Sequence, residues 1–128
     1  MKKAFTLLEM LIVLGIIAVM LSILTVSYST AQKKSRDAKR KGDVKAIENA
    51  LEQYYSVCGY TYPTPNSSGS LTAPIGCVNA PNGFIPTIPV DPKSNAEYTF
   101  TSSGTDFSIC ANSIEMESPT GYCLNSQQ

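Results

Sequence analysis

The sequence predicts an α+β fold: a long N-terminal helix packed against a small antiparallel β-sheet, with a long loop between them. Three observations predict it. Residues 5–26 form an apolar run in which only Thr6, Glu9, Ser22 and Thr25 are neither apolar nor glycine. Val44, Ile47, Leu51 and Tyr54 then repeat at the spacing of one helix face. Two alternating segments, EYTFT at 97–101 and DFSICA at 106–111, follow towards the C-terminal end.

The apolar run holds 22 residues. As a helix it would span about 33 Å, against a hydrocarbon core of about 30 Å. Glu9 is out of place there, because a charged side chain in a membrane helix costs about 2.5–3.5 kcal/mol on insertion scales. Residues 27–57 continue the helix, since no proline interrupts them and Gly42 is the only weak point. Ala50 and Tyr55 widen the apolar stripe. Asp43, Lys45, Glu48, Asn49, Glu52 and Gln53 fill the other sides, so this half is amphipathic. The helix should end near Cys58-Gly59, glycine being the usual residue just past a helix end.

Residues 60–93 read as loop and carry seven of the eight prolines. Asn66-Ser67-Ser68 within it matches a glycosylation sequon. Beyond the loop, SSGT joins the two alternating segments as a hairpin, and Tyr122-Cys123-Leu124 suggests a third short strand. A hairpin alone is marginal in water. The stripe of Val44, Ile47, Leu51 and Tyr54 is the cover available for its apolar face.

The chain is neutral overall but divided. Residues 1–41 carry Lys2, Lys3, Lys33, Lys34, Arg36, Lys39, Arg40 and Lys41 against Glu9 and Asp37, a net charge of +6; the remainder carries −6. Opposite poles favour head-to-tail contact between copies. Cys58, Cys77, Cys110 and Cys123 all follow the apolar run, which suggests two disulfides outside the cytoplasm. Four cysteines allow three pairings. Local pairing, Cys58 with Cys77 and Cys110 with Cys123, is favoured because it tethers the loop and the C-terminal tail separately. With no histidine and no C-x-x-C spacing, neither a metal site nor another cofactor is expected. Catalytic residues are not expected either, as there is no nucleophile-elbow motif and no phosphate loop.

The stretch KKAFTLLEMLIVLGIIAVM resembles the N-terminus of the type IV pilin superfamily, which includes the pseudopilins of type II secretion. The basic leader, the small residue, Phe-Thr, two apolar residues and Glu are here Lys2, Lys3, Ala4, Phe5, Thr6, Leu7, Leu8 and Glu9. The resemblance continues less specifically through RDAKRKGDVKAIENALEQYY and GYTYP, and VDPKSNAEYTF is similar to the stretch leading into the sheet of the major pseudopilin. It implies four parts: a leader at 1–4, a membrane and filament-core helix at 5–26, its amphipathic continuation at 27–57, and a head at 58–128. It also implies cleavage between Ala4 and Phe5 by a prepilin peptidase and methylation of the new Phe5 amine. The subunit would cross the cytoplasmic membrane once, with lipid around its helix. An assembly platform and its ATPase would then stack it into a homo-oligomeric filament at the cell surface or in the periplasm.

In such a filament the Phe5 ammonium of one subunit can meet Glu9 of its neighbour. Two costly groups then neutralise each other only in the assembled register. The plainer reading is that Glu9 snorkels to the headgroups.

Three features depart from the family pattern. Ala4 replaces the usual glycine, Val26 stands where a proline is common, and SSGTD keeps only Asp106 of a calcium loop, so calcium is not assigned. Lys33, Lys34, Arg36, Lys39, Arg40 and Lys41 form a candidate basic contact surface, for acidic neighbours or, in a competence pilin, for nucleic acid. By the positive-inside rule alone they would lie in the cytoplasm. The cysteines and the resemblance place them outside.

The main functional reading is a structural subunit of a type IV pilus or pilus-like filament. The alternatives are a type II secretion pseudopilin, a DNA-binding competence pilin and a plain membrane-anchored binding protein. A secretory signal cleaved after Ala31, with Gln32 as the mature start, fits poorly. Its apolar region would exceed the usual 7–15 residues or so.

Overall fold

The computed structural model describes residues 4–116 and 121–127, without the side chains of residues 24–27. Met1, Lys2, Lys3 and Glu117, and the side chain of Val26, lie outside the described residues. The chain divides into two compact units, residues 1–34 and 35–128. The helix α1 (Leu7–Val57) contributes to both.

In the first unit the apolar side chains of α1, from Leu7 to Ile23, stand exposed. A helix apolar on all sides needs lipid or other helices around it. Its one serine with a described side chain in this stretch is satisfied internally, as Ser22 Oγ donates to the carbonyls of Ala18 and Val19 at 2.9 Å. This is how a hydroxyl is carried in an apolar helix without an orphaned donor.

In the second unit α1 buries Val44, Ile47, Ala50 and Leu51 against a three-stranded antiparallel sheet of β3 (Thr99–Ser102), β4 (Phe107–Ala111) and β5 (Tyr122–Asn125), in that order. Phe100, Phe107, Ile109 and Ala111 fill the inner face. Period-two alternation delivers Phe107, Ile109 and Ala111 to one side of β4. Phe100 pairs with Ile109, and Ile109 with Leu124, so the central strand is fully laddered. The first strand begins later than the 97–101 stretch predicts, because Glu97 forms an isolated bridge with Val90 before the ladder starts.

The helix ends where Gly59 predicts, at a φ of +94°. The Tyr60 N–H donates to the Tyr55 carbonyl at 3.0 Å, the bond that closes a Schellman motif.

The loop is only partly loop. It contains a second sheet of two strands, β1 (Ile75–Cys77) and β2 (Ala80–Ile85), paired antiparallel with an irregular register. Gly76, Pro81 and Gly83 break the alternation that would have marked this hairpin. The close backbone approach explains Gly76: a Cβ there would lie 2.6 Å from the Ala80 carbonyl oxygen. Ile75 and Leu71 reach the main core. Asn66 of the sequon accepts the Ser68 and Ser70 N–H groups on its Oδ1, at 3.0 and 2.9 Å, which ties its side chain into the turn. Gly69 then offers its carbonyl to the Phe100 N–H at the edge of β3, at 2.8 Å.

Both disulfides take the local pairing. Cys58–Cys77 joins the helix end to β1, and Cys110–Cys123 bridges directly opposed residues of β4 and β5.

Candidate functional site

Two groups of residues invite a functional reading, one in each unit. In the first unit, residues 4–6 precede α1. Thr6 is its N-cap: the Glu9 N–H donates to Thr6 Oγ1 at 3.2 Å, and the Met10 N–H to the Thr6 carbonyl at 3.4 Å. Thr-x-x-Glu is the capping-box spacing, and the threonine half of the box is formed. Glu9 therefore occupies the first turn, near the positive end of the helix dipole, which offsets part of the cost of a carboxylate in an apolar segment. The residues singled out from the sequence do not include Thr6 in this role; the Thr-x-x-Glu spacing is the signal that marks it. Phe5 is largely exposed, so the Ala4–Phe5 bond lies in non-helical chain just outside the capped turn.

In the second unit, Arg40 is only 1 % exposed. Its Nε donates to Asp91 Oδ2 at 2.6 Å and its Nη2 to Asp91 Oδ1 at 3.2 Å, the two-pronged geometry of a guanidinium on a carboxylate. Its Nη1 donates to Asp37 Oδ1 at 2.6 Å and to Glu115 Oε1 at 3.2 Å. Arg36 grips Glu115 with Nε and Nη2, each at 2.8 Å, and Lys93 Nζ lies 3.4 Å from Glu115 Oε2. The cluster thus sets Arg36, Arg40 and Lys93 against Asp37, Asp91 and Glu115, charge for charge.

The acids also hold backbone. Asp37 accepts the N–H groups of Glu115 and Met116, at 2.9–3.1 Å. Asp91 Oδ1 accepts those of Lys93 and Ser94. The turn in VDPKSNAEYTF is thereby closed by Asp91 and docked on the helix by Arg40. Three residues further along α1, Asp43 accepts from the Tyr98 hydroxyl at 2.9 Å.

The electrostatics follow from these contacts. The Arg40 hydrogen bonds hold the Asp91 carboxyl well below the usual carboxylate range, against the effect of burial. Arg36 draws Glu115 down to about 2. Burial pushes Asp37 up, but the Glu115 and Met116 N–H groups and Arg40 together leave it lowered. Burial, with Asp43 as acceptor, keeps the Tyr98 hydroxyl protonated far above the ordinary tyrosine range.

This arrangement divides the basic stretch of residues 33–41. Lys33, Lys34 and Lys39 are exposed, but Arg40 is buried and Arg36 is turned onto Glu115. Lys41 is half-buried, with its Nζ 5.6 Å from the centre of the Tyr122 ring. The reason is desolvation: Asp37 and Asp91 are buried, and a buried carboxylate needs a partner. Part of the opposite charge read as complementarity between copies is therefore consumed within one head.

The described residues do not fit a calcium ion. Glu115 is occupied by three cations. Asp106 accepts from Ser126 Oγ and Thr105 Oγ1 at 3.3 and 3.1 Å. Among the described residues no three acids, cysteines or histidines gather as a possible metal site.

Residues 1–25 match the family model described as the prokaryotic N-terminal methylation motif. The chain is 32 % identical over 109 residues to the type II secretion system core protein G of Dickeya chrysanthemi, covering 80 % of this chain and 70 % of that protein. It is 29 % identical to the protein of the same name from Escherichia coli K12, over 80 % of this chain and 74 % of that one. The Pseudomonas aeruginosa protein of that name is 26 % identical, over 81 % and 76 %.

Proposed function

The chain belongs to the family of type II secretion system core protein G, and from that premise we propose that it is the pseudopilin of a type II secretion system. In this reading it is a structural subunit, held in the inner membrane by residues 5–26 and assembled into a periplasmic filament. The comparisons favour this pseudopilin reading over the surface-pilus subunit that the N-terminal motif alone suggests first.

The observation that carries the processing and assembly role is the stretch AFTLLE with its capped first turn. A prepilin peptidase cuts between Ala4 and Phe5, and the Phe5 amine is methylated. The new ammonium lies about one turn from Glu9. Thr6 holds that turn in shape, so Glu9 is presented in a defined direction to the Phe5 ammonium of an incoming subunit. Pairing removes two unpaired charges from an apolar surround at one register only, so charge neutralisation selects the stagger of the filament. Arg36 and Arg40, turned inwards, leave a competence pilin's nucleic-acid contact with only part of its proposed basic surface.

Intact-mass and N-terminal peptide analysis of assembled material tests the processing step, with a methylated Phe5 start expected. A Gln32 start or a retained Met1 overturns it. Glu9→Val tests the register role: the protein is expected to stay in the membrane while filament formation and secretion fall. Normal filament yield from that variant overturns the role of Glu9 and favours snorkelling.

A further inference from the structure

We propose that Tyr28, Lys33 and Lys34 form an interfacial collar that binds anionic phospholipid headgroups at the C-terminal end of the membrane helix. The proposal rests on the membrane-spanning reading above.

All three residues belong to the first unit and to α1. Tyr28 is 67 % exposed, and Lys33 and Lys34 are exposed and make no ion pair with any described residue. The next two arginines of the basic stretch, Arg36 and Arg40, are committed to Glu115, Asp37 and Asp91. Beyond the C-terminal end of the apolar run, the first free positive charges among the described residues therefore belong to the two lysines.

Their heights along the helix match a headgroup layer. Tyr28 lies about 3 Å beyond residue 26, and the two lysines about 10–12 Å beyond it. Side chains on a helix lean towards its N-terminus, here back towards the membrane. Long lysine stems lie along the apolar boundary and place the ammonium several ångströms nearer to it. A headgroup layer is about 5–8 Å thick on each side of the hydrocarbon core. Tyr28 then sits at the boundary, where aromatic rings concentrate, and both ammonium groups reach the phosphates.

Their angles distinguish lipid from protein as the partner. At about 100° per residue, Lys33 stands about 140° and Lys34 about 240° around the axis from Tyr28. The three residues divide the circumference almost evenly. A single copy docking on one helix face would meet one of them, whereas the lipid annulus around the unassembled subunit meets all three. The positive charge selects anionic headgroups, and each lysine near a charged leaflet should favour them about fivefold.

The test uses the full chain in nanodiscs of equal phosphatidylglycerol and phosphatidylcholine at physiological salt, with the retained lipid identified by native mass spectrometry. The unaltered chain should retain phosphatidylglycerol at least about fivefold over phosphatidylcholine. Lys33→Gln with Lys34→Gln should bring that ratio close to one, and Lys39→Gln should leave it unchanged. Failure of the chain to enter the bilayer overturns the membrane reading itself. Entry with equal retention of both lipids, or equal loss in the Lys39→Gln control, overturns the collar alone. Unchanged lipid retention in the double variant, with weaker cross-linking between copies, assigns the lysines to filament contacts and also overturns it.

Discussion

Arg40 Nε lies 2.6 Å from Asp91 Oδ2, although the two stand 51 positions apart in the chain. Through this contact the turn that begins at Asp91 is docked on the helix, and the same guanidinium reaches Asp37 and Glu115. A single buried side chain thereby joins the helix, the loop before β3 and the segment after β4.

Replacing Arg40 should unfold the head rather than trim its surface. Arg40→Met fills the space but leaves Asp37 and Asp91 buried without their main counter-charge. Breaking such a pair costs about 3–5 kcal/mol. Arg40→Lys should recover only part of this, because an ammonium cannot engage Asp91 with two parallel bonds. Urea unfolding of the full chain in detergent, followed by circular dichroism, measures both. A loss below about 1 kcal/mol in Arg40→Met would place the cluster among neutral surface pairs.

The cluster makes the head acid-sensitive in a defined window. Asp37, Asp91 and Glu115 all titrate below their ordinary values in the folded chain, Glu115 at about 2. Between the ordinary carboxylate range and those lowered values the unfolded chain binds more protons, so stability falls as pH falls. The contribution should be complete above about pH 5 and mostly lost by about pH 2. Melting temperature measured from pH 7 to pH 2 should decline in that interval, and Arg40→Met should flatten the decline.

Chelation should leave the head unaffected. Asp37, Asp91 and Glu115 are neutralised by Arg36, Arg40 and Lys93, and no metal-binding group of acids gathers among the described residues, so added calcium or a chelator should shift the melting temperature of the full chain by less than the measurement error. A rise of several degrees with calcium would reveal a site that the described residues do not form.

The two disulfides should be separable. Each closes a short loop, of sequence separation 19 for Cys58–Cys77 and 13 for Cys110–Cys123, and the chain-entropy model gives about 3 kcal/mol for each. Replacing Cys58 and Cys77 by serine should release β1 from the helix end, with faster hydrogen exchange across β1 and β2. Replacing Cys110 and Cys123 should lower global stability with little effect on that hairpin, because β4 and β5 remain paired along their ladder. Exchange mass spectrometry distinguishes the two results.

Contact between copies is better tested on lysines than on arginines. Arg36 and Arg40 hold the head together, so a variant lacking them reports folding. Lys39→Glu alters an exposed charge of the second unit. It should reduce cross-linking between copies at low salt, and the difference from the unaltered chain should shrink as salt screens exposed pairs over about 8–10 Å. Equal cross-linking at every salt concentration would show that this charge is merely solvated.

The amino-acid sequence alone determined what local chemistry determines. An apolar run with a Thr-x-x-Glu start specifies a capped helix. A period of 3.6 through Val44, Ile47, Leu51 and Tyr54 specifies which side of it is buried, and alternation in DFSICA specifies the face of β4. Gly59 marks the helix end because few other residues adopt its positive φ. These are properties of neighbours along the chain, and they are legible without the fold. The tertiary structure decided the rest. The β1–β2 hairpin is not legible in the sequence because its glycines and proline carry no periodic signal, and its close approach involves residues on opposite strands. Arg36 and Arg40 look like surface cations beside Lys33, Lys34 and Lys39, since charge count carries no information about burial. Only folding brings Asp91 and Glu115 to the helix, and desolvation then makes Arg40, one side chain of a seemingly uniform stretch, the buried centre of the cluster, with Arg36 turned onto Glu115 at its edge.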